Sequence, residues 1–339
     1  TMFHAGLLLG PAIGGVIIDA LSWRWAFFLL VPLGVIGILL TAYRPERGRA
    51  RSPRQSSSID YGGAALLVVL TVTLTLLLDR RTSELINTGG RVLVLLAFAA
   101  SVAWFLLHER RTAAPVVNFG LFRIRMFTFS VLSLLIIATT TSAVGFLMPF
   151  YLQDVLHVSP SFMGLIFLSA PIFTIALAAA SGRLTDRIGP QIPASAGVLL
   201  TMAAFVVGAF LRMDSSWTLS AVVMALMGLG SGLFNTPNQT AIIASVPREY
   251  RGFAAGMVQT VFGVSSLLGI SLGSALLTVF FQHYSGLPDA RPSADHPVPF
   301  VASMSGIYWL CCALMAVALA ASLLRGKARI EAAASPTTS

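Results

Sequence analysis

The sequence predicts an all-α membrane protein of ten transmembrane helices. Three observations carry this prediction. Of 339 residues, 56% are hydrophobic and 10% charged, where a soluble domain carries roughly 25% charged residues. Mean hydropathy is +0.84. The apolar residues fall in long unbroken runs, not in alternation, and a backbone in lipid must bond to itself, so the runs read as helices and not as barrel strands.

The runs are 2–19, 23–42, 61–78, 91–107, 126–151, 161–181, 190–210, 218–245, 252–280 and 301–324. At 1.5 Å per residue each spans a hydrocarbon core of ~30 Å, with 61–78 and 91–107 near the short limit. In the first run, Gly6, Gly10 and Gly14 share one helical face that another helix can approach to backbone contact. Pro11 frees the carbonyl of Leu7 and bends the helix, and Gly15 follows. Trp23-Arg24-Trp25 opens the second run. Residues 1–43 hold these two helices, and 44–60, with five arginines and two prolines, form a flexible linker. A two-helix hairpin over 61–107 and a linker over 108–125 precede a block of six helices, 126–324, and a tail, 325–339.

The formal charge is +9, but the basic residues are scattered over the connections, which excludes a nucleic-acid patch. Sixteen Lys/Arg fall in 43–60, 108–125, 182–189, 246–251 and the tail, against six in the alternate connections. That asymmetry places the first set, and both chain ends, on the cytoplasmic side of a cell membrane. Cys311 and Cys312 are adjacent in an apolar run and suit neither a disulfide nor a metal site.

All thirteen Asp and Glu lie at span ends or in connections, and no histidine lies deep in a span. Ionisable groups at depth mark ion pathways, and these spans lack them. No nucleophile with its base, metal-spaced cluster or phosphate loop assembles at one depth, so the chain reads as neither an enzyme nor a metal protein. The deep polar residues are neutral: Asn235, Thr236, Asn238, Gln239 and Thr240 surround Pro237. Asn235, Asn238 and Gln239, at i, i+3 and i+4, share a face. Asn235 stands ten residues from the cytoplasmic end, ~15 Å deep. Pro237 frees the carbonyl of Leu233, and Gly228, Gly230 and Gly232 loosen the same stretch. A broken helix with midplane amides is how transporters build a substrate site; the same amides also suit packing bonds between helices. Gln259 is a parallel case in the next span. The hydroxyls of Thr139, Thr140, Thr141 and Ser142 are expected to bond back to their own helix. Gly182-Arg183-Leu-Thr-Asp186-Arg187-Ile-Gly189 reads as a short cytoplasmic loop. Asp186 there complements the positive end of the helix that follows. Arg183 and Arg187 are placed to pair with carboxylates, as a lock that holds one conformation and releases in another.

These residues resemble a known family. Gly6-x3-Gly10-Pro11-x2-Gly14-Gly15 resembles the antiporter signature of the major facilitator superfamily, found there in the fifth helix. Trp23-Arg24-Trp25-Ala-Phe27-Phe28, then Pro32 and Gly34, resembles the sixth helix of its fourteen-helix drug:proton antiporters. Residues 182–189 are similar to the superfamily's loop motif in its second copy, although Gln191 stands where a basic residue is usual, as Leu30 stands for an Asn. Phe146-x2-Pro149-x-Tyr151-x-Gln153 and Gly228-x-Gly230-x-Gly232 leading to Pro237 fit the same family. The resemblance implies a major facilitator fold lacking its first four helices, with the hairpin inserted between two six-helix halves. It implies multidrug efflux of small organic compounds by alternating access, driven by the proton gradient without a cofactor. The acids that carry protons are expected in the missing helices, so the 339-residue chain is not expected to couple protons alone. Asn235, Asn238, Gln239 and Gln259 would line the cavity. Gly10, Pro11, Gly14 and Gly15 would seal the first helix against the six-helix block, and Arg183, Asp186 and Arg187 would gate. Partners are the substrate, protons and lipid; an accessory efflux partner is left open. A metabolite importer and a non-transporting fragment are the rival readings.

Overall fold

The structure is a computed structural model that describes residues 10, 13–42, 61–78, 88–112, 119–287, 292 and 296–326. Among these, the chain is helical from end to end: α1 over 13–20, α2 (Trp23–Ala42), α3 (Tyr61–Leu78), α4 (Thr88–Arg111), α5 (Arg125–Phe150), α6 (Pro160–Ile188), α7 (Gln191–Ala209), α8 (Trp217–Ala244), α9 (Arg251–Ser285) and α10 (Pro297–Leu324). Seven of them, α4 and α5 to α10, are long and apolar enough to cross a membrane. In α2 and α3 the apolar stretches are shorter, Trp23–Leu39 and Ala65–Leu77. Gly6 and Pro11 lie outside the described residues.

Helices α5 to α10 form the block, and its order explains the packing. Helix α6 lies along α8, and α9 lies along α5, the equivalent pair when α5–α6–α7 is matched to α8–α9–α10. Both pairings are made close by glycines four residues apart. A Cβ at Gly228 would overlap the backbone of Ala170, and one at Gly232 would come within 2.9 Å of the Thr174 carbonyl. On α9, a Cβ at Gly269 would overlap the Thr139 carbonyl, and one at Gly273 would come within 3.3 Å of Ala143. Around these seams Phe127, Met148, Leu152, Val198, Phe205, Phe234 and Phe281 are fully buried. Outside the block, α3 pairs with α4 and also packs on α9.

Helices α4, α6 and α9 overrun the sequence boundaries, because an apolar run ends at the lipid edge whereas a helix ends at a breaker. Helix α9 runs 35 residues, ~52 Å, and stops at Gly286, whose φ of +68° lets its N–H cap the Gln282 carbonyl. Helix α4 continues through Arg111 into the expected 108–125 linker, and Glu109 on it is buried. The expected loop 182–189 is corrected most. Helix α6 continues to Ile188, and Gly189, at φ +82°, ends it by donating to the Thr185 carbonyl at 2.9 Å.

The backbone groups freed by proline and by helix ends find partners. The Leu233 carbonyl, released by Pro237, accepts from Ser181 Oγ at 3.3 Å. Thr140 and Thr141 donate back to Ile136 and Ile137 at 2.9 and 2.7 Å, as their hydroxyls predict. After Pro149, α5 widens into a π turn over Tyr151–Val155, and the Tyr151 hydroxyl donates to the Arg212 carbonyl at 2.6 Å.

Candidate functional site

At the α8–α9 corner, Thr236, Gln239, Thr240, Ile243 and Ala244 of α8 and Arg251 of α9 enclose a recess of about 420 Å³. Beside it, Ser181 ties α6 to α8 through the Leu233 carbonyl, and the 3₁₀ turn Arg248–Tyr250 leads into α9 at Arg251. A Cβ at Gly182 would meet the Thr236 methyl group at 3.9 Å. Thr236, Thr240 and Arg251 are exposed and Gln239 is half-buried. The Thr240 hydroxyl is spent on the Thr236 carbonyl at 2.9 Å, which leaves its lone pairs to the recess. The lining therefore offers an amide, two hydroxyl oxygens, an apolar floor and one guanidinium. It suits a small compound with acceptor groups on an apolar body.

The four amides of the sequence reading part company here. Only Gln239 lines the recess. Asn238 is corrected: it is fully buried, donates to the Ser130 carbonyl at 3.1 Å, and accepts from Arg325 Nη1 at 3.0 Å. Positions i+3 and i+4 stand ~100° apart around a helix, so a face centred on Asn235 splits between the bundle interior and the recess. Asn235 is half-buried beside neither group. Gln259 is exposed on α9, two turns beyond Arg251 and outside the recess.

Arg325, 2% exposed, is the residue that sequence reasoning placed in the tail and the structure places in the core. Its Nε donates to the Ser322 carbonyl at 3.0 Å and its Nη2 to Ser322 Oγ, which meets Ser195 Oγ at 2.8 Å. Burial pushes its guanidinium down to about 10. Gln191, the departure from the family's basic residue, donates to the Leu323 carbonyl at 2.8 Å, and Arg125 Nε to the Leu324 carbonyl at 2.8 Å. The last carbonyls of α10 are thus each met by a side chain. No composition or spacing signal separates Arg325 from the other basic residues at span ends.

Among the glycines of the first run, Gly15 lies close to the six-helix block: a Cβ there would overlap the Pro160 carbonyl at the start of α6. Gly10 and Gly14 do not, having nothing within 4 Å. The contact face runs instead from Gly15 to Asp19, one turn later. Asp19 Oδ2 accepts the Ser161 N–H at 2.9 Å. Pro160 has no N–H, Ser159 Oγ takes that of Phe162 at 3.3 Å, and Asp19 takes the one between them. The sequence signal was an acid four residues after Gly15, read only as a span-end charge. Arg183, Asp186 and Arg187 are exposed on the last turns of α6, and none has a charged partner among the described residues. Asp186 does not cap α7, whose N-terminal position Pro190 carries no side-chain cap.

The geometry can be set beside known proteins. The model of the Major Facilitator Superfamily matches residues 1–136 and again 130–338. A riboflavin transporter of Clostridioides difficile is 26% identical over 93% of this chain and 66% of its own length. A multidrug transporter protein of Bacillus subtilis is 28% identical over 82% of the chain and 51% of its own length. The tetracenomycin C resistance and export protein of Streptomyces glaucescens is 30% identical over 86% and 54%. The chain thus spans less than two thirds of these curated relatives. A crystal structure of a bacterial homologue of the lysosomal transporter Spinster aligns at TM-score 0.47 and 17% identity over 78% of this chain and 66% of that one.

Proposed function

The chain belongs to the major facilitator superfamily, and from that premise we propose that it forms the larger part of a secondary active transporter that exports small organic compounds. Members of this family move solutes and catalyse no reaction, so the chain is not an enzyme. In this reading, proton entry drives export by alternating access, with no cofactor. The chain lies in the cell membrane with both ends in the cytoplasm, as its arginine asymmetry favours.

The observation that carries the reading is the uncovered recess of Thr236, Gln239, Thr240 and Arg251, polar groups on an apolar wall beside Pro237, through which α8 runs unbroken. Gln239 binds substrate from this side, whereas Asn235 and Gln259 stand outside the recess. Gly15 and Asp19 close the far end against α6, while Arg183, Asp186 and Arg187 meet the cytoplasmic mouth. The multidrug and tetracenomycin relatives support efflux of drug-like compounds. The riboflavin transporter favours a second reading, carriage of a polar aromatic metabolite by the same recess.

The test is dye and antibiotic accumulation in cells that express the gene encoding this chain, with and without a protonophore. Efflux that stops when the proton gradient collapses, and whose compound range shifts in Gln239→Ala, supports the reading. Efflux that survives the protonophore removes proton coupling. No efflux in either condition, with the protein in the membrane, favours the non-transporting reading.

A further inference from the structure

We propose that the ends of α7 and α10 hold a phospholipid with a primary-ammonium headgroup. A groove of about 510 Å³ lies where α7 ends and α10 begins, far from the α8–α9 recess, and is lined by Phe210, Arg212, Asp214, Val301, Ser305 and Trp309 among others. Three features select its occupant.

The first is its setting. Outer helices meet the block at α6, through Gly15 and Asp19, and at α9, through α3. Helices α7 and α10 instead pack on one another and turn Leu199, Leu310, Leu314 and Val317 outward, all exposed. Leu310 follows the groove residue Trp309 on α10, so acyl chains can lie along this wall while the headgroup enters the groove. The second is the aromatic rim. Phe210 and Trp309, 60% and 49% exposed, meet edge to face at 6.0 Å, the arrangement expected at the level of lipid headgroups.

The third is charge. Arg212 and Asp214 stand two residues apart on the 210–216 connection, and that connection is built, not slack. The Arg212 carbonyl accepts from the buried Tyr151 hydroxyl at 2.6 Å and from the Ser215 N–H at 3.2 Å, and the Arg212 N–H donates to Ser215 Oγ at 2.9 Å. A guanidinium grips a phosphate, and a carboxylate beside it grips an ammonium. A free phosphate or an anionic lipid would meet Asp214 as a like charge. A choline headgroup satisfies both charges but has no N–H to donate. Phosphatidylethanolamine meets both groups with hydrogen bonds and has the chains to cover the wall. The leaflet is the outer one in the orientation proposed above; the site itself does not depend on what is transported.

The test uses the whole chain purified in detergent, with phosphatidylethanolamine, phosphatidylglycerol or phosphatidylcholine added. Thermal midpoints and the lipids retained in native mass spectra are both read, the second counting only folded protein. Phosphatidylethanolamine is expected to bind about five-fold more tightly than the other two, the scale of one exposed charge-assisted contact. Arg212→Gln should weaken binding of all three lipids, since each carries the phosphate. Asp214→Asn should erase discrimination against phosphatidylglycerol, and Arg111→Gln on α4 should change nothing. Equal binding of all three lipids, a preference that persists in Asp214→Asn, or unchanged binding of all three in Arg212→Gln overturns the proposal. So does an equal shift with glycerophosphoethanolamine, which lacks acyl chains and would make the ligand a soluble one.

Discussion

Replacing Asn238 by alanine should unfold this protein more readily without changing what it carries. Asn238 is fully buried and joins two helices to its own, α5 through the Ser130 carbonyl and the end of α10 through Arg325. The alanine removes one hydrogen bond from a buried cation, about 1.5–3 kcal/mol, and one amide bond to a carbonyl, about 1 kcal/mol. The sum, about 2.5–4 kcal/mol, corresponds to a fall of about 5–15 °C in melting temperature for a bundle of this size. Asn235→Ala, one turn earlier and half-buried, should cost under about 1 kcal/mol. Removing the whole polar pair should be milder than halving it. Asn238→Leu with Arg325→Met leaves no charge stranded, so the double variant should regain much of the loss. The assay is a double-mutant cycle by thermal melting in detergent, and a coupling of about 1.5–3 kcal/mol is expected between Asn238 and Arg325. If Asn238→Ala melts with Asn235→Ala, or if the two losses simply add, the buried cluster does not hold the helices as argued. A changed compound range in Asn238→Ala at unchanged stability would restore Asn238 to the cavity.

Asp19→Ala should cost about 1 kcal/mol and speed hydrogen exchange at Ser161, whereas Asp19→Asn keeps an acceptor and should cost about half as much; equal exchange in all three proteins would show that Asp19 does not cap α6. Gly228→Ala should destabilise by about 1–3 kcal/mol, because its methyl group meets the Ala170 backbone and the helices must part. Gly263→Ala, with nothing within 4 Å, should be neutral or slightly stabilising, and similar melting of the two would count against the glycine seam. The stability difference between the native chain and Arg325→Met should stay constant from pH 6 to 9. Burial lowers the Arg325 guanidinium from its ordinary value to about 10, so it is protonated in both folded and unfolded chains over that range. Only as the pH rises past 9 and through about 10 does the unfolded chain bind more protons than the folded one, so stability gained as the pH rises belongs there; a slope between pH 6 and 9 that vanishes in Arg325→Met would refute this.

Much of the fold is legible in the residues themselves. The apolar runs place α2 and α3 to the residue, and Gly228 and Gly232 mark the closely packed helix, but the break expected at Pro237 is absent because α8 runs on through it. The release of the Leu233 carbonyl follows from Pro237 alone; that Ser181 receives it does not, since Ser181 is 56 positions away in the chain. Helix ends were less legible, because Gly189 and Gly286 stop the helices beyond the apolar runs, where composition is already polar. The site was legible as a neighbourhood and not as a set of side chains. Gln239 and Asn238 are neighbours in sequence and face different surroundings.

Local chemistry decided what lipid enforces on every residue: a chain this apolar must satisfy its backbone in helices, and its arginines must gather at their ends. Those are properties of each segment against its solvent, so they can be read one segment at a time. Long-range packing decided the rest. Whether a polar side chain faces a recess, another helix or the membrane depends on which helices surround it and how each is turned. Thus Arg325 lies in the core because α5, α7 and α8 close around it, and Asp19 caps a helix that begins 141 residues further along the chain.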